Sequence, residues 1–176
     1  MGMDYKMNKN VWVIAGAESS GKTTLFESLK TLLPKHQFVP EYNRDWLLLR
    51  GLTSPFSMKT LDRLFFDCLS YYQSLPYDQP TVLDTDLLNL FIWAKHINHP
   101  MASELEKNWD KTQFSYLLCP PNIPFEQDPL RSGESVRQWA WEAHLQELKK
   151  RHCVVLEHND ASMRVQQAVR TILSIE

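Results

Sequence analysis

The sequence predicts an α/β protein with three layers, in which helices cover both faces of a parallel five-stranded sheet. Short apolar runs alternate with segments whose apolar residues recur every three or four positions, a pattern typical of strands and helices in such a fold. The chain has 176 residues, which supports a single domain over residues 1–176 rather than two. The remaining length allows a small lid, which we expect at about residues 119–137.

The first half of the chain predicts two strands and two helices. Residues 11–15, Val-Trp-Val-Ile-Ala, are apolar throughout, as in a strand buried on both faces. A helix follows with Leu25, Leu29 and Leu32 on one face, and residues 37–39 predict a short second strand. Ser54 followed by Pro55 is typical of a helix N-cap and first turn. The apolar face of that helix is predicted to be Met58, Leu61, Phe65, Cys68 and Tyr72.

The second half continues the alternation. The predicted strands are residues 81–83, 114–118 and 153–156. The predicted helices are one that carries Leu87, Phe91 and Ala94, one at residues 135–150, and a last one capped by Asp160. Between them, residues 119–132 contain four prolines, which predicts an irregular loop because proline lacks a backbone donor.

Composition excludes several classes of protein. The 19 Lys and Arg residues are balanced by 21 Asp and Glu residues, so no overall basic field favours nucleic acid. No run approaches eighteen apolar residues, and we expect no membrane span. Three widely spaced cysteines favour reduced thiols and a cytoplasmic protein. The expected partner is a small molecule, and the sequence leaves the oligomeric state open.

A phosphate-binding loop lies between the first strand and the first helix. Residues 16–23, Gly-Ala-Glu-Ser-Ser-Gly-Lys-Thr, match G-x-x-x-x-G-K-[ST] in the required context of a strand and a helix. The glycines let successive amides point inward at phosphate oxygens, Lys22 can neutralise phosphate charge, and Thr23 can ligate Mg²⁺. The motif predicts a P-loop NTPase fold. The residues expected to bind ATP are Gly16, Ala17, Glu18, Ser19, Ser20, Gly21, Lys22, Thr23 and Thr24.

The loop predicts a nucleotide but no particular reaction. A GTPase would normally carry Asn-Lys-x-Asp, which is absent, and the chain is short for an AAA+ or transporter-type ATPase. A small kinase and an ATP-gated binding module remain.

Acidic residues follow two of the predicted strands, at the sheet edge where α/β proteins bind ligands. Asp84 is placed to hold Mg²⁺, and Asp86 follows it, although Asp86 also suits a helix N-cap. Glu41 can accept a proton from an attacking hydroxyl. Arg44 can instead form a surface ion pair with Glu41.

The proline-containing loop ends in Asp128-Pro129-Leu130-Arg131. An arginine on a mobile lid can close over the transferring phosphoryl group, which makes Arg131 the first candidate and Arg137 the second. The alternative for both is a solvated charged loop. Tyr72 shares the apolar face of its helix, so core packing is its default interpretation.

The sequence resembles the NadR-type ribosylnicotinamide kinases in four blocks that occur in order and cover residues 11 to about 157. The first block is Gly-Ala-Glu-Ser-Ser-Gly-Lys-Thr-Thr-Leu at residues 16–25. The others are Pro40-Glu41-Tyr42-x-Arg44, then Asp84-Thr85-Asp86-Leu87 with Ile92-Trp93, and last Tyr116-Leu117-Leu118 through Ile123-Pro124-Phe125 to Asp128-Pro129-Leu130-Arg131.

The resemblance implies ATP-dependent phosphorylation of the 5′-hydroxyl of nicotinamide riboside, giving nicotinamide mononucleotide, on a nucleoside-monophosphate-kinase-like sheet. It implies that Lys22, Thr23 and the loop amides hold ATP and Mg²⁺, and that Asp84 serves the metal. It assigns the ribose, or activation of its hydroxyl, to Glu41, Asp84 or Asp86, and a lid role to Arg131. The residues expected to bind substrate are Glu41, Tyr42, Arg44, Tyr72, Asp84, Asp86 and Asp128.

Departures from the family concern the base of the acceptor. Some members carry a tryptophan before Glu-Tyr that stacks on the base, and here that residue is Pro40. Tyr72 is a candidate partner aromatic, and Tyr42 or Trp46 can replace the missing tryptophan. Longer relatives carry a helix-turn-helix and an adenylyltransferase domain. This chain lacks His-x-Gly-His, and we expect neither DNA binding nor NAD synthesis. The alternatives are a kinase for another nucleoside and an ATP-dependent regulatory module.

Overall fold

The computed structural model describes residues 10–131 and 133–174 and contains a five-stranded sheet. The strands are β1 (Val11–Ala15), β2 (Gln37–Val39), β3 (Thr81–Asp84), β4 (Ser115–Leu118) and β5 (Cys153–Val155). The helices are α1 (Lys22–Leu32), α2 (Tyr42–Leu48), α3 (Met58–Ser74), α4 (Leu87–His96), α5 (Ala102–Thr112), α6 (Glu134–Leu148) and α7 (Ala161–Leu173). The predicted α/β class is confirmed.

All strand pairs are parallel, in the order β2-β3-β1-β4-β5. The central strand β1 aligns Val13 with Leu83 on one side and with Tyr116 on the other. Because the strands run in one direction, their carboxyl ends share one edge of the sheet. The segments that follow β1, β2 and β3 therefore meet there, which is where the predicted phosphate loop and acidic residues lie.

Side chains of β1 alternate between two apolar layers, which gives the three-layer arrangement. Val11 and Val13 pack on the face covered by α3, α4 and α5. Trp12 and Ile14 pack on the opposite face, with buried residues of α1 and α7. A strand with helices on both sides has no polar face, which explains why residues 11–15 are apolar throughout.

The predicted start of α3 is wrong by three residues. The N-cap is Ser57 rather than Ser54, and its hydroxyl oxygen accepts a hydrogen bond from the Thr60 amide at 3.1 Å. Pro55 lies instead in the approach to the helix. Met58 is consequently an exposed first-turn residue, whereas Phe65, Cys68 and Tyr72 are buried as predicted.

Two helices, α2 and α5, were not predicted from the sequence. Helix α2 has only seven residues, too few for a helical repeat to be recognised, although it buries Trp46 and Leu47. Helix α5 has only three buried residues, Leu105, Asn108 and Trp109, on an otherwise polar surface. Both depend on tertiary packing rather than on local propensity.

The loop after β1 passes very close to the end of β4. Gly16 has φ +141°, and a Cβ at this position would lie 2.4 Å from the Cys119 carbonyl oxygen. That distance is a steric clash with backbone, and the φ value is one that side-chain-bearing residues rarely adopt. Gly51 also has a positive φ, +62°, but no atom of the described part of the chain lies within 4 Å of a Cβ built there.

We expect Gly16→Ala to lower the free energy of unfolding by at least about 2 kcal/mol more than Gly51→Ala does. Both variants carry the cost of a positive φ, roughly 1 kcal/mol, but only the first also clashes with Cys119. Urea denaturation followed by circular dichroism measures the difference. Equal losses in the two variants would contradict the close approach of the two strand ends.

Candidate active site

The turn between β1 and α1 leaves the first amides of α1 open. Gly21, at the N-cap of α1, has φ 82°, and none of the side chains that the structure describes caps the helix. Uncapped amides at a helix N-terminus attract anions, because the helix dipole places partial positive charge there. Lys22 folds its ammonium group back onto the loop and donates to the carbonyl oxygens of Gly16 at 3.1 Å and Ala17 at 2.8 Å. We refer to this turn, residues 16–23, as the cradle, because its uncapped amides and the nearby Lys22 ammonium group suit an anion.

Asp84 lies at the end of β3, directly beside this cradle. The Thr23 hydroxyl donates to Oδ2 of Asp84 at 3.1 Å, and the buried Oδ1 accepts no hydrogen bond from the described residues. Burial, reinforced by the nearby Glu41 carboxylate and opposed by Lys22 and the Thr23 hydrogen bond, raises the pKa of Asp84 to about 6. A buried carboxylate oxygen without a donor is suited to a cation.

Asp86 is as deeply buried as Asp84, but its carboxylate binds groups of the protein. It caps α4 by accepting the Leu88 amide at 3.0 Å, and it also accepts the Tyr116 hydroxyl at 2.6 Å. Burial raises the pKa of Asp86 to about 6 against the opposing effect of these hydrogen bonds. Thr85 lies between the two acids with φ +65°, an unusual value for a β-branched residue. This turn sends Asp84 toward the cradle and Asp86 toward α4.

A cavity of about 770 Å³ opens from the cradle. One wall is the phosphate loop, residues 18–24, and Glu41 and Arg44 also line the cavity. A largely apolar wall is contributed by α3, α4 and the segment before α3, and includes Phe56, Leu61, Leu64, Phe65, Leu90 and Trp93. This volume lies within the range of small-molecule sites.

An ion network joins α2 to the proline-containing loop. Arg44 binds Oδ2 of Asp128 at 3.1 Å, and Nε of Arg131 binds the same oxygen at 2.8 Å. Burial tends to raise the pKa of Asp128, but the Leu130 amide and the Arg44 and Arg131 guanidinium groups hold it below its usual value. Arg131 also donates to the Glu126 carbonyl. Arg44 therefore pairs with Asp128, and the alternative pair with Glu41 does not form.

Several residues that the sequence places in the substrate site do not line the cavity. Tyr72 is only 3% exposed and lies in the core, and Tyr42 stacks on Tyr71 with ring centroids 4.1 Å apart. Asp86 and Asp128 hold protein groups, as described above. The sequence patterns of these four residues fit both a ligand-binding site and contacts within the protein. The structure shows contacts within the protein for all four.

Other lining residues were not anticipated. Asn89 and Trp93 are four residues apart on α4, which places them on one helix face, and both line the cavity. Phe56 joins them from the segment before α3. The Asp-Thr-Asp block immediately precedes α4. Asn89 and Trp93 follow it four residues apart, and this helical spacing is the sequence signal that could have identified both as lining residues.

Arg137, considered above as a lid or solvated residue, is buried in the first turns of α6. Its guanidinium donates to the carbonyl oxygens of Ser19 at 2.8 Å and Ile123 at 2.7 Å. Arg164 of α7 contacts the same loop from a neighbouring position. Arg164 lies in a helix whose pattern predicted only packing, so its position was not foreseen.

Comparison with known proteins gives one family and a set of similar folds. Residues 11–165 match the family model described as an AAA domain (AAA_28). NadR protein in complex with NAD and AMP-PNP has a TM-score of 0.70 at 20% identity, and the match covers 94% of this chain and 50% of that chain. This chain thus spans about half the length of the NadR chain. NadR protein in complex with NR gives a TM-score of 0.69 at 20% identity, over 94% of this chain and 52% of that one.

Thymidylate kinase from Ehrlichia chaffeensis has a TM-score of 0.64 at 11% identity, over 92% of this chain and 97% of that one. The predicted fold, that of P-loop kinases, is confirmed.

No curated protein matches the sequence significantly. The chain is short for an AAA+ ATPase, yet the family model described as an AAA domain matches most of it, residues 11–165. Among the described residues, no helix is long and apolar enough to cross a membrane.

Asp84→Asn should stabilise the protein in the absence of nucleotide and divalent metal. Because burial raises the pKa of Asp84 from 3.8 to about 6 in the folded state, ionisation lowers stability progressively from about pH 4 to pH 6, and the full cost is present above that range. Removing the charge should add roughly 1–3 kcal/mol at pH 7. The gain should shrink toward pH 5, where Asp84 of the native protein is largely protonated.

Urea denaturation at pH 7 and pH 5 in the presence of EDTA measures this effect. Asp78→Asn is the matched control, since Asp78 is exposed and its replacement should change stability by less than about 0.5 kcal/mol. A destabilised Asp84→Asn protein would show that the carboxylate is a structural group.

Proposed function

Because this chain belongs to the family described as an AAA domain, we propose that it is an ATP-dependent kinase acting on a nucleoside. The specific reaction proposed is transfer of the γ-phosphoryl group of ATP to the 5′-hydroxyl of nicotinamide riboside, giving nicotinamide mononucleotide and ADP. The observation that carries the proposal is the continuous cavity that joins the phosphate loop to Glu41 and to an apolar, aromatic wall. The resemblance of the four sequence blocks to ribosylnicotinamide kinases supports the choice of acceptor.

The phosphate loop is proposed to bind the β- and γ-phosphates of ATP through residues 16–24. Lys22 now donates to carbonyl oxygens of the loop, and a triphosphate offers its ammonium group stronger, charged acceptors. Exchange of these partners would bring the lysine onto the phosphates. Positioning and charge stabilisation supply most of the catalysis in phosphoryl transfer.

Thr23 and Asp84 are the residues proposed to hold Mg²⁺. The unpartnered buried Oδ1 of Asp84 and the adjacent Thr23 hydroxyl suit a hard cation that prefers oxygen ligands. The described residues contain no group of three or more His, Cys, Asp or Glu side chains placed to hold a metal. This agrees with Mg²⁺, which is usually bound by one or two protein oxygens together with substrate phosphates. When bound, the ion would neutralise phosphate charge.

Glu41 is the proposed general base. It lines the cavity at the start of α2, and Asn43 donates to its Oε1 at 2.7 Å, which leaves the carboxylate able to accept a proton from the acceptor hydroxyl. Asp84 remains beside Thr23, and the hydrogen bonds of Asp86 are already made. The proton leaves the 5′-hydroxyl as the oxygen–phosphorus bond forms, and the bond to ADP breaks.

The wall of Phe56, Phe65 and Trp93 is proposed to contact the acceptor base. A flat ring gains from stacking and burial on such side chains, and a pyridinium ring gains further from the electron-rich face of tryptophan. Asn89, a half-buried lining residue, can bond an amide on the ring. These residues take the role that the sequence suggested for Tyr72.

Residues 1–176 are proposed to act as one kinase domain, with the lid at about residues 119–137. The Glu126 amide donates to the Ser19 hydroxyl at 2.9 Å, and the Ser54 amide donates to the Pro129 carbonyl at 2.9 Å. The segment therefore crosses from the phosphate loop to the approach of α3. Such a cover excludes water from a reacting phosphoryl group.

A second candidate is a kinase whose acceptor already carries a phosphate. Arg44 and Arg131 both line the cavity and share the single carboxylate of Asp128, so the network has one excess positive charge that an anionic acceptor would satisfy. A coupled ADP-release assay with nicotinamide riboside, other nucleosides and nucleoside monophosphates separates the two candidates. Turnover of nicotinamide riboside supports the first proposal, and turnover of monophosphates alone supports the second.

Glu41→Gln should reduce kcat by about 10²–10⁴-fold, the range typical of general-base catalysis, and leave the affinity for an ATP analogue nearly unchanged. Glu142→Gln is the matched control, because Glu142 is an exposed residue of α6. Steady-state kinetics together with calorimetric titration gives both quantities. Full activity in Glu41→Gln would remove this residue from the mechanism.

Trp93→Ala should raise KM for the acceptor by roughly tenfold, the expected cost of losing one stacked aromatic side chain. Tyr72→Phe should leave that KM within twofold, because Tyr72 is buried outside the cavity. Kinetic titration of the acceptor at saturating ATP measures both. A larger effect in Tyr72→Phe than in Trp93→Ala would restore the role first suggested by the sequence.

A further inference from the structure

Arg164 of α7 is only 4% exposed and cross-links three segments. It donates to the Ser20 carbonyl at 2.8 Å, to the His158 carbonyl at 3.0 Å and to Oδ1 of Asn122 at 2.6 Å. These acceptors belong to the phosphate loop, to the segment after β5 and to the start of the proposed lid. A guanidinium group donates in several fixed directions at once, which suits it to hold three segments in one geometry.

The contact with Ser20 fixes the direction of an amide as well as that of a carbonyl. A trans peptide is planar, and its C=O and N–H bonds point in opposite directions. When Arg164 binds the Ser20 carbonyl on the outer side of the loop, the Gly21 amide of the same peptide is directed to the inner side. Arg137 acts in the same way on the Ser19 carbonyl, and thereby on the Ser20 amide.

Neither of the two buried arginines forms an ion pair with a carboxylate in residues 10–131 or 133–174. Arg137 is 6% exposed, and the exposed Glu134 carboxylate acts on it only at longer range. Their hydrogen-bond acceptors are the neutral oxygens of carbonyl and amide groups. A buried cation is costly unless an opposite charge lies nearby. The amides of the cradle are on the other side of the same loop.

We infer that Arg164 is a positioning residue for the nucleotide phosphates, which it serves by orienting the Gly21 amide and by supplying positive charge that the phosphates balance. This inference rests on the proposed function in one respect, namely that the nucleotide bound at the loop is ATP. Arg164 lies behind the loop and does not contact the reacting atoms. Gly21 has φ +82°, which favours glycine, and a Cβ there would crowd the guanidinium group of Arg164 at 3.3 Å.

The test compares Arg164→Gln and Arg164→Lys with Arg170→Ala, a change at an exposed residue of the same helix. Calorimetric titration with a non-hydrolysable ATP analogue and Mg²⁺ measures affinity, and steady-state kinetics measure both KM values. We expect Arg164→Gln to weaken ATP binding about tenfold or more, since a charge-assisted contact is lost. Arg164→Lys, which keeps the charge, should lose markedly less, and Arg170→Ala should stay within twofold. KM for the acceptor should stay within twofold in all three variants.

Titration with adenosine distinguishes positioning from a general structural defect. Adenosine has no phosphates, so its affinity should be the same in native protein and Arg164→Gln if Arg164 acts on the phosphates. Equal losses for ATP and adenosine, or equal ATP affinities in Arg164→Gln and Arg164→Lys, would overturn the inference.

Asn122→Ala provides a variant that should fold even where Arg164→Gln does not, because Asn122 is exposed. It removes one acceptor of Arg164 and should weaken ATP binding about two- to fourfold. Unchanged ATP affinity in Asn122→Ala would overturn the inference. If the native protein itself fails to bind ATP, the proposed function fails and the inference with it. Native ATP binding that survives in every Arg164 variant rejects the inference alone.

Discussion

The conformation of the short turn between β1 and α1 is the constraint on which the rest of the site depends. Gly16 passes against the Cys119 carbonyl, and Ser19 and Gly21 adopt positive φ values. With these angles the loop carbonyls bind Lys22 and two buried arginines, while the first amides of α1 stay free of capping side chains. The turn satisfies its acceptors with cations and keeps its donors available, which is the arrangement that an anion requires.

The two acidic residues that follow β3 have different surroundings because the turn at Thr85 directs their side chains to different parts of the protein. Asp84 and Asp86 are two residues apart, equally buried, and both have a pKa raised to about 6 by burial. Asp86 accepts hydrogen bonds from the Leu88 amide and the Tyr116 hydroxyl, and these bonds offset the cost of burying its carboxylate. Asp84 keeps one oxygen without a donor among residues 10–131 and 133–174. A buried charge that is incompletely satisfied lowers stability, and such sites are retained where a ligand completes them.

Patterns that are local in sequence predicted most of the fold. The central strand β1 was identified because it is apolar throughout and buried on both faces, and the other four strands because each contains a short apolar run. Helix α7 was identified in part because Asp160 caps it, accepting the Met163 amide. The short helix α2 and the mostly polar helix α5 lack such a pattern. Ser54 and Ser57 both precede a helix at plausible spacing, and only the observed contact with Thr60 distinguishes them.

The site was predictable where a motif dictates geometry and not where geometry arises from packing. The position of the phosphate loop follows from its glycines, and that of Asp84 from the end of a central strand. Whether Tyr72 faces the cavity or the core depends on the rotation of α3 within the fold, and its helical spacing fits both. Arg164 lies more than 140 residues after the loop that it contacts, so no local sequence pattern predicts this contact. A contact between segments so far apart in sequence depends on how the whole chain folds.

A co-crystal structure with a non-hydrolysable ATP analogue and Mg²⁺ would show whether the cradle binds the nucleotide phosphates. We expect electron density for the phosphates against the amides of residues 16–23, with the metal adjacent to Thr23 and Asp84 and the Lys22 ammonium group moved from the loop carbonyls to the phosphates. A nucleotide bound elsewhere on the protein, with Lys22 still on the carbonyls of Gly16 and Ala17, would show that this loop is not the phosphate site.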